Sequence, residues 1–127
     1  MRAYIDSDIL IWHLRGDQKA SRFLKRMHKS REHELWIGAI QRAEIVFFMR
    51  PGEEDATELF LSQFQTASID QKVVDAAGGL YRKWNPSHGI DINDALLAAT
   101  AIETGGQIFS LNTKHYPMPE VIVKKAW

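Results

Sequence analysis

The chain contains no cysteine. Disulfides and thiolate metal sites are therefore excluded, and a reducing, cytoplasmic setting fits the composition. Long apolar runs are also missing. None approaches about 18 residues, and an acid already stands at position 6, so neither a membrane span nor a signal peptide is expected. A charge of one sign is lacking too, because 16 Lys and Arg balance 16 Asp and Glu. That total neither favours nor rejects a polyanionic partner, and only local clustering can argue for one. There is no internal repeat, low-complexity tract or linker. What remains is 127 residues, 45% hydrophobic and 25% charged, which suits one folded domain over residues 1–127.

Strand and helix signals alternate along the chain. Ala3 to Ile5 reads as a strand and Ser7 to Leu14 as a short helix. Asp17 has the character of an N-cap for a helix from about Gln18 to His28. Leu35 to Ile37 is a second short strand. Gly38-Ala39 leads from it into a helix carrying Glu44 and stopped by Arg50-Pro51-Gly52. Glu53 to Gln65 reads as a helix with Ala56, Leu59, Phe60 and Phe64 on one side, and Ser68-Ile69 as a brief strand or bend. Gln71 to Trp84 is helical. Gly78-Gly79 within it implies close packing or a break, since each glycine costs about 1 kcal/mol there. Asn85 to Gly89 is a loop. Asp94 to Thr104 is a helix stopped by Gly105-Gly106. Gln107 to Leu111 and Val121 to Val123 are the last strands. Strands separated by helices predict an α/β fold of three layers, α/β/α, with a central, mainly parallel sheet of four or five short strands.

Three acids enter apolar segments. Asp6 ends the strand Ala3-Tyr4-Ile5 and precedes an apolar helix, which puts it at the carboxyl edge of the sheet, where open α/β sheets bind ligands. Glu44 sits among Ala43, Ile45, Phe47 and Phe48, in a segment that reads as buried nearly all round; a surface ion pair with Arg42 or Arg50 is the plainer alternative. Asp94 opens a helix of Ala, Leu and Thr that should be almost wholly buried, where an unpaired acid is costly. Asp91, three residues before it, is explained by helix capping, as an acidic version of a capping box. Asp8 reads as a turn or cap residue. Two carboxylates about 4 Å apart repel by roughly 4 kcal/mol at an effective dielectric near 20. Gathering three of them requires a cation or a proton. All-oxygen ligands without cysteine favour Mg²⁺ or Mn²⁺ over Zn²⁺, and the five histidines show no paired ligand spacing.

Other residues leave their roles open. Ser7 either caps the next turn or hydrogen-bonds a phosphate. Lys19, Arg22, Lys25, Arg26, Lys29 and Arg31 form a basic run that is either a solvated face or a nucleic-acid contact. Arg82, Lys83, Trp84 and His88 offer charge and a stacking ring, although Trp84 equally suits the core. Lys114 and His115 lie just past Asn112, within reach of a phosphate or simply in solvent.

Four segments, Tyr4 to Ile11, Ala39 to Ile45, Asp94 to Ala101 and Ile108 to Pro117, occur in an order and spacing that resemble the PIN domain, and most nearly the VapC-type toxins of prokaryotic toxin–antitoxin pairs. Each segment alone is a weak signal; the ordered set is specific. The resemblance implies that Asp6, Glu44 and Asp94 are the first three acids of the family's site and that Asn112 takes the fourth position, often Asp. Ser7 matches a small hydroxyl residue beside the first acid, and Ser110 the Ser or Thr before the fourth site. Gly38 departs from a common Ser or Thr, and Asn112 is neutral. The implied activity is hydrolysis of RNA phosphodiester bonds, leaving a 5′-phosphate and a 3′-hydroxyl. One or two Mg²⁺ ions held by Asp6, Glu44 and Asp94 would supply charge stabilisation and water activation. The implied partners are tRNA or rRNA as substrate, a second copy of the chain, and an antitoxin whose C-terminal segment blocks the site. Trp12, Phe47, Phe48 and Trp127 would meet that antitoxin if exposed, although core packing is the expectation for most of them.

Alternatives come from other classes. Asp6-Ser7-Asp8 is similar to the start of haloacid-dehalogenase-like phosphatases, but Leu10 departs from that pattern and Glu44 is left unexplained. A PIN-type RNA-processing nuclease without an antitoxin, and a degenerate PIN fold that only binds, are the other readings.

Overall fold

Asp6 both ends the first strand and starts the first helix in the computed structural model, which describes residues 1–127. Strand β1 (Arg2–Ile5) passes through Asp6 into α1 (Ser7–Leu14), and the Asp6 carboxylate accepts the Ser7 amide as N-cap. Asp17 caps α2 (Gln18–Lys29) by accepting from the Lys19 and Ala20 amides. Ala20, Phe23, Leu24 and Met27 form the buried stripe of α2 at helical spacing, while Lys19, Arg22, Lys25, Arg26 and Lys29 stay exposed. The chain continues through β2 (Glu34–Gly38), α3 (Ala39–Phe47), α4 (Glu54–Leu61) and β3 (Gln65–Ala67). It closes with α5 (Gln71–His88), α6 (Ile92–Thr104), β4 (Gln107–Ser110), a short 3-10 turn at Thr113–His115 and β5 (Ile122–Lys125).

The five strands lie in the order β3-β2-β1-β4-β5, and every neighbouring pair is parallel. Strand alternation divides the core into two layers. Ala3, Ile5, Leu35 and Ile37 join buried side chains of α1 to α4 on one face. Tyr4 and Ile108 join Val73, Ala77 and the alanine-rich flank of α6 on the other. The clusters hold 15 and 14 buried residues, so neither face of the sheet is left to solvent and the three-layer α/β/α expectation is met. Gly106 permits the close approach of this second layer, because a Cβ there would lie 2.4 Å from the Tyr4 ring. No helix is long and apolar enough to cross a membrane.

Several boundaries differ from expectation. Helix α4 stops at Leu61, and the strand falls on Gln65–Ala67 rather than Ser68-Ile69. Thr66 pairs with Ile37 there, a β-branched residue in register with the buried strand. Asn85 to Gly89 is not a loop, since α5 runs through His88 with Pro86 inside its last turn. A proline so near the end removes one rung, and Gly89, at φ 62°, closes the helix by donating its amide to Asn85. Gly78-Gly79 brings neither a break nor close packing. A Cβ at Gly79 would meet nothing within 4 Å, and one at Gly78 only the tip of Arg82 at 3.3 Å. Nothing in the structure explains Gly79.

The segment around Glu44 is also less buried than its composition implies. Only Gln41 and Ile45 of α3, one turn apart, are buried, and Phe47 and Phe48 are 78% and 82% exposed. A single i, i+4 stripe faces the sheet, and the rest of the helix does not. Trp12 is 44% exposed as well, whereas Trp127 does pack on the core against Phe23.

Candidate active site

The sheet changes direction of winding between β1 and β4, its topological switch point, and a crevice opens there beyond the strands' carboxyl ends. Asp6 follows β1 and Ser110 ends β4, so the two meet across that crevice. Asp6, 9% exposed, has its backbone amide bound to the Phe109 carbonyl at 3.0 Å. One carboxylate oxygen accepts from the Ser7 amide at 2.8 Å. The other accepts from Ser110 Oγ at 3.0 Å and from the Tyr116 hydroxyl at 2.6 Å. Ser110 and Tyr116 are themselves buried, which makes this hold a rigid one.

Asp8 does more than cap a turn. Its Oδ1 accepts from the Ile9 amide at 2.7 Å. Its Oδ2 reaches across to β4, accepting from the Leu111 amide at 3.0 Å and Ser110 Oγ at 3.2 Å. Ser110 in turn accepts the Asn112 amide at 3.0 Å. Glu44 approaches from α3 and is tied to the cluster by Ser7, whose hydroxyl donates to Glu44 Oε2 at 3.0 Å. Ser7 thus bridges two acids as a donor to each.

Asp94 enters from α6. It forms a reciprocal capping box with Asp91: the Asp94 amide donates to Asp91 Oδ1 at 2.8 Å and the Asp91 amide to Asp94 Oδ2 at 3.1 Å. Its other oxygen faces His115 Nδ1 at 3.6 Å. The far side of that imidazole lies 2.8 Å from the Asn112 side-chain amide. Asn112 is exposed, and Lys114, also exposed, makes no side-chain hydrogen bond or ion pair. Sequence reasoning missed Tyr116 and underrated Asp8 and His115. The one available signal was the polar run Asn112 to Tyr116 directly after a buried strand.

Electrostatics follow from this crowding. Burial first, then the charge of Asp6, raises the Asp8 carboxyl above the ordinary aspartate range. Glu44 is raised by burial, a shift opposed by the Ser7 hydrogen bond and reinforced by the charges of Asp6, Asp91 and Asp8. Asp94 is pushed up to about 6, chiefly by burial. The Tyr116 hydroxyl stays protonated well above the usual tyrosine value, through burial and then the charge of Asp6. The one ion pair formed by a lysine or arginine is Lys72–Glu103, so neither residue type neutralises the cluster.

No three His, Asp or Glu side chains stand close enough to grip one ion directly. The expected three-acid cup is therefore looser than direct ligation by Asp6, Glu44 and Asp94 requires, because oxygens of each are already engaged by protein donors. The donor set still fits a hard divalent cation. It offers only oxygen and a surplus of negative charge, and Mg²⁺ keeps several waters while binding one or two carboxylates.

Fold and site define a three-layer α/β/α domain with an acid cluster at the switch point of a parallel sheet. A PIN domain family model matches residues 3–120, and the chain belongs to the PIN domain family. It is 34% identical to Ribonuclease VapC10 of Mycobacterium tuberculosis over 117 residues, covering 91% of this chain and 86% of that protein. It is 33% identical to Ribonuclease VapC19 of the same species over 115 residues, covering 90% and 91%. Among solved structures, VapBC2 from Rickettsia felis bound to a promoter DNA fragment matches with a TM-score of 0.80 at 22% identity, covering 100% of this chain and 99% of that one. A toxin–antitoxin complex from Klebsiella pneumoniae matches with 0.79 at 24% identity, covering 98% of each. At these identities the solved structures establish the fold alone.

Proposed function

We propose that the protein is a divalent-metal-dependent endoribonuclease of the VapC type, the toxin of a toxin–antitoxin pair acting in the cytosol on tRNA or rRNA. The observation that carries this reading is the hold on Asp6: three donors fix its carboxylate at the switch point, with Glu44 and Asp8 close enough to feel its charge and no lysine or arginine ion-paired to any of them. The ribonuclease names of the two relatives support it.

Asp6, Glu44 and Asp94 would hold Mg²⁺ or Mn²⁺, with Asn112 at the rim. When bound, such a cation stabilises charge on the phosphate and activates water for hydrolysis to a 5′-phosphate and a 3′-hydroxyl. The chain's own residues do the positioning. Tyr116 and Ser110 fix the rotamer of Asp6, Ser7 aligns Glu44 beside it, and the Asp91 box sets Asp94. His115 sits between Asp94 and Asn112, one ring nitrogen toward each, and so links the Asp94 carboxylate to the rim of the cluster.

An antitoxin is the proposed protein partner. Phe48 and Met49 line a groove with Ile11 and Leu14, and Glu44 lies in the same groove, so a segment seated there would cover the site. The active unit is proposed to be a homodimer. Purified protein with Mn²⁺ on mixed tRNA and rRNA fragments, with EDTA as control, tests the reading. Cleavage should require the metal and disappear in Asp6→Asn and Asp94→Asn, both still folded. Metal-dependent cleavage retained by both variants would reject the site, and RNA binding without any cleavage would leave the binding-module reading in its place.

A further inference from the structure

A cleft of about 510 Å³ adjoins the acid cluster, opening between α1, the start of α2 and Trp127. Leu111 is the shared wall: it lines the cleft, and its amide is bound by Asp8. Trp12 stands four residues beyond Asp8, one turn along the same side of α1, and is 44% exposed. Trp127 also lines the cleft, steadied against the Phe23 ring at 6.0 Å between centroids. Lys19 and Arg22 line it too, both exposed and neither in an ion pair with a carboxylate. Asp17 is the one acid in the lining, and its carboxylate is engaged by the Lys19 and Ala20 amides.

We propose that this cleft is a nucleotide subsite, taking one base of single-stranded RNA against Trp12 and Trp127 and the adjoining phosphate at Lys19 and Arg22. The inference rests on the ribonuclease reading above and adds the surface that reading lacks. A chain of zero formal charge has no overall pull on a polyanion, and the acid cluster repels one. Substrate must therefore be anchored by cations beside the cluster. Indole faces stack on any base, so the pair of tryptophans gives affinity without demanding a particular sequence. The Lys19 ammonium and the Arg22 guanidinium, whose Nε donates to the Gln18 carbonyl at 3.3 Å while its terminal nitrogens make no hydrogen bond, supply the phosphate contacts. This cleft combines both features, and the Asp8–Leu111 link ties it to the acids.

Binding of a short fluorescein-labelled single-stranded RNA to the full chain, followed by anisotropy in EDTA across a salt series, tests the proposal. Trp12→Ala should weaken binding roughly five- to hundredfold, and Trp12→Phe should recover most of it. Lys19→Ala with Arg22→Ala should weaken binding and reduce the log–log salt slope by about 1.4. Lys72→Ala, which removes one positive charge at the start of α5, outside the cleft lining, should change neither. Should Trp12→Ala lower Tm, Trp12→Phe and the Lys19/Arg22 variant decide. Unchanged RNA affinity in the cleft variants, or no RNA binding by the wild type, overturns the subsite and leaves the cleft to a protein partner. Adding Mn²⁺ to the same RNA separates the two ideas. Cleavage whose KM ignores Trp12 and Lys19/Arg22 rejects the cleft and keeps the nuclease; Trp12-dependent binding without cleavage does the reverse.

Discussion

A carboxylate that accepts three hydrogen bonds cannot turn without losing one, and Asp6 is held in that way. The Tyr116 bond, at 2.6 Å and fully buried, is the shortest of the three. Tyr116→Phe deletes a donor to a charged acceptor and should lower stability by about 1.5–3 kcal/mol, measured by urea unfolding. Partners that orient a metal ligand also set affinity, so Mn²⁺ should bind about 10–100-fold more weakly by calorimetric titration. Undiminished Mn²⁺ affinity would remove Asp6 from the ligand set. Asp94 makes a separate prediction. Its carboxyl titrates near 6 in the folded protein against 3.8 ordinarily, so the folded state binds the extra proton between those values. Its contribution to stability is complete below the lower value and disappears as pH rises through the upper one. In EDTA, the Tm of the wild type relative to Asp94→Asn should therefore fall from about pH 4 to about pH 6 and stay level above that. A difference that rises over the window would contradict the assigned shift.

At the scale of elements, the ends with local chemistry were readable and the others were not. Asp17, the Asp91–Asp94 box and Gly105 each satisfy helix-end groups within a few residues, and each was legible. The end of α5 was not, because Pro86 is a breaker only where its missing amide costs more than one rung. Strand β3 was displaced because its pairing with β2 depends on register across the sheet, not on its own three residues. Gly79 remains as a helix-interior glycine with open space where a Cβ would stand. Gly79→Ala should stabilise the protein by about 0.5–1 kcal/mol in urea unfolding. No gain would mean that the glycine has a role the monomer does not display.

For the whole molecule, the parallel sheet and its two covered faces followed from alternation alone, whereas the expected three-acid cup did not come out of it: Glu44 is tied to Asp6 through Ser7, but no three acids stand close enough to grip one ion. Tyr116 was invisible because its partner lies 110 residues away and no local pattern marks the pair. Phe47 and Phe48 were misjudged for the opposite reason: local composition implied a core, while the packing of α3 left them outside. So exposed a pair contributes little to folding. Phe47→Ser with Phe48→Ser should leave stability within about 0.5 kcal/mol while weakening capture of a co-expressed cognate antitoxin in pull-down. Equal capture would move the partner's seat elsewhere.

The bonds from Ser110 and Tyr116 to Asp6 join the two ends of a long sequence separation. A nascent chain still on the ribosome holds Asp6 without them until the segment beyond β4 has emerged. The geometry of Asp6 is therefore completed last, and contacts so distant in sequence form more slowly than local helix turns do.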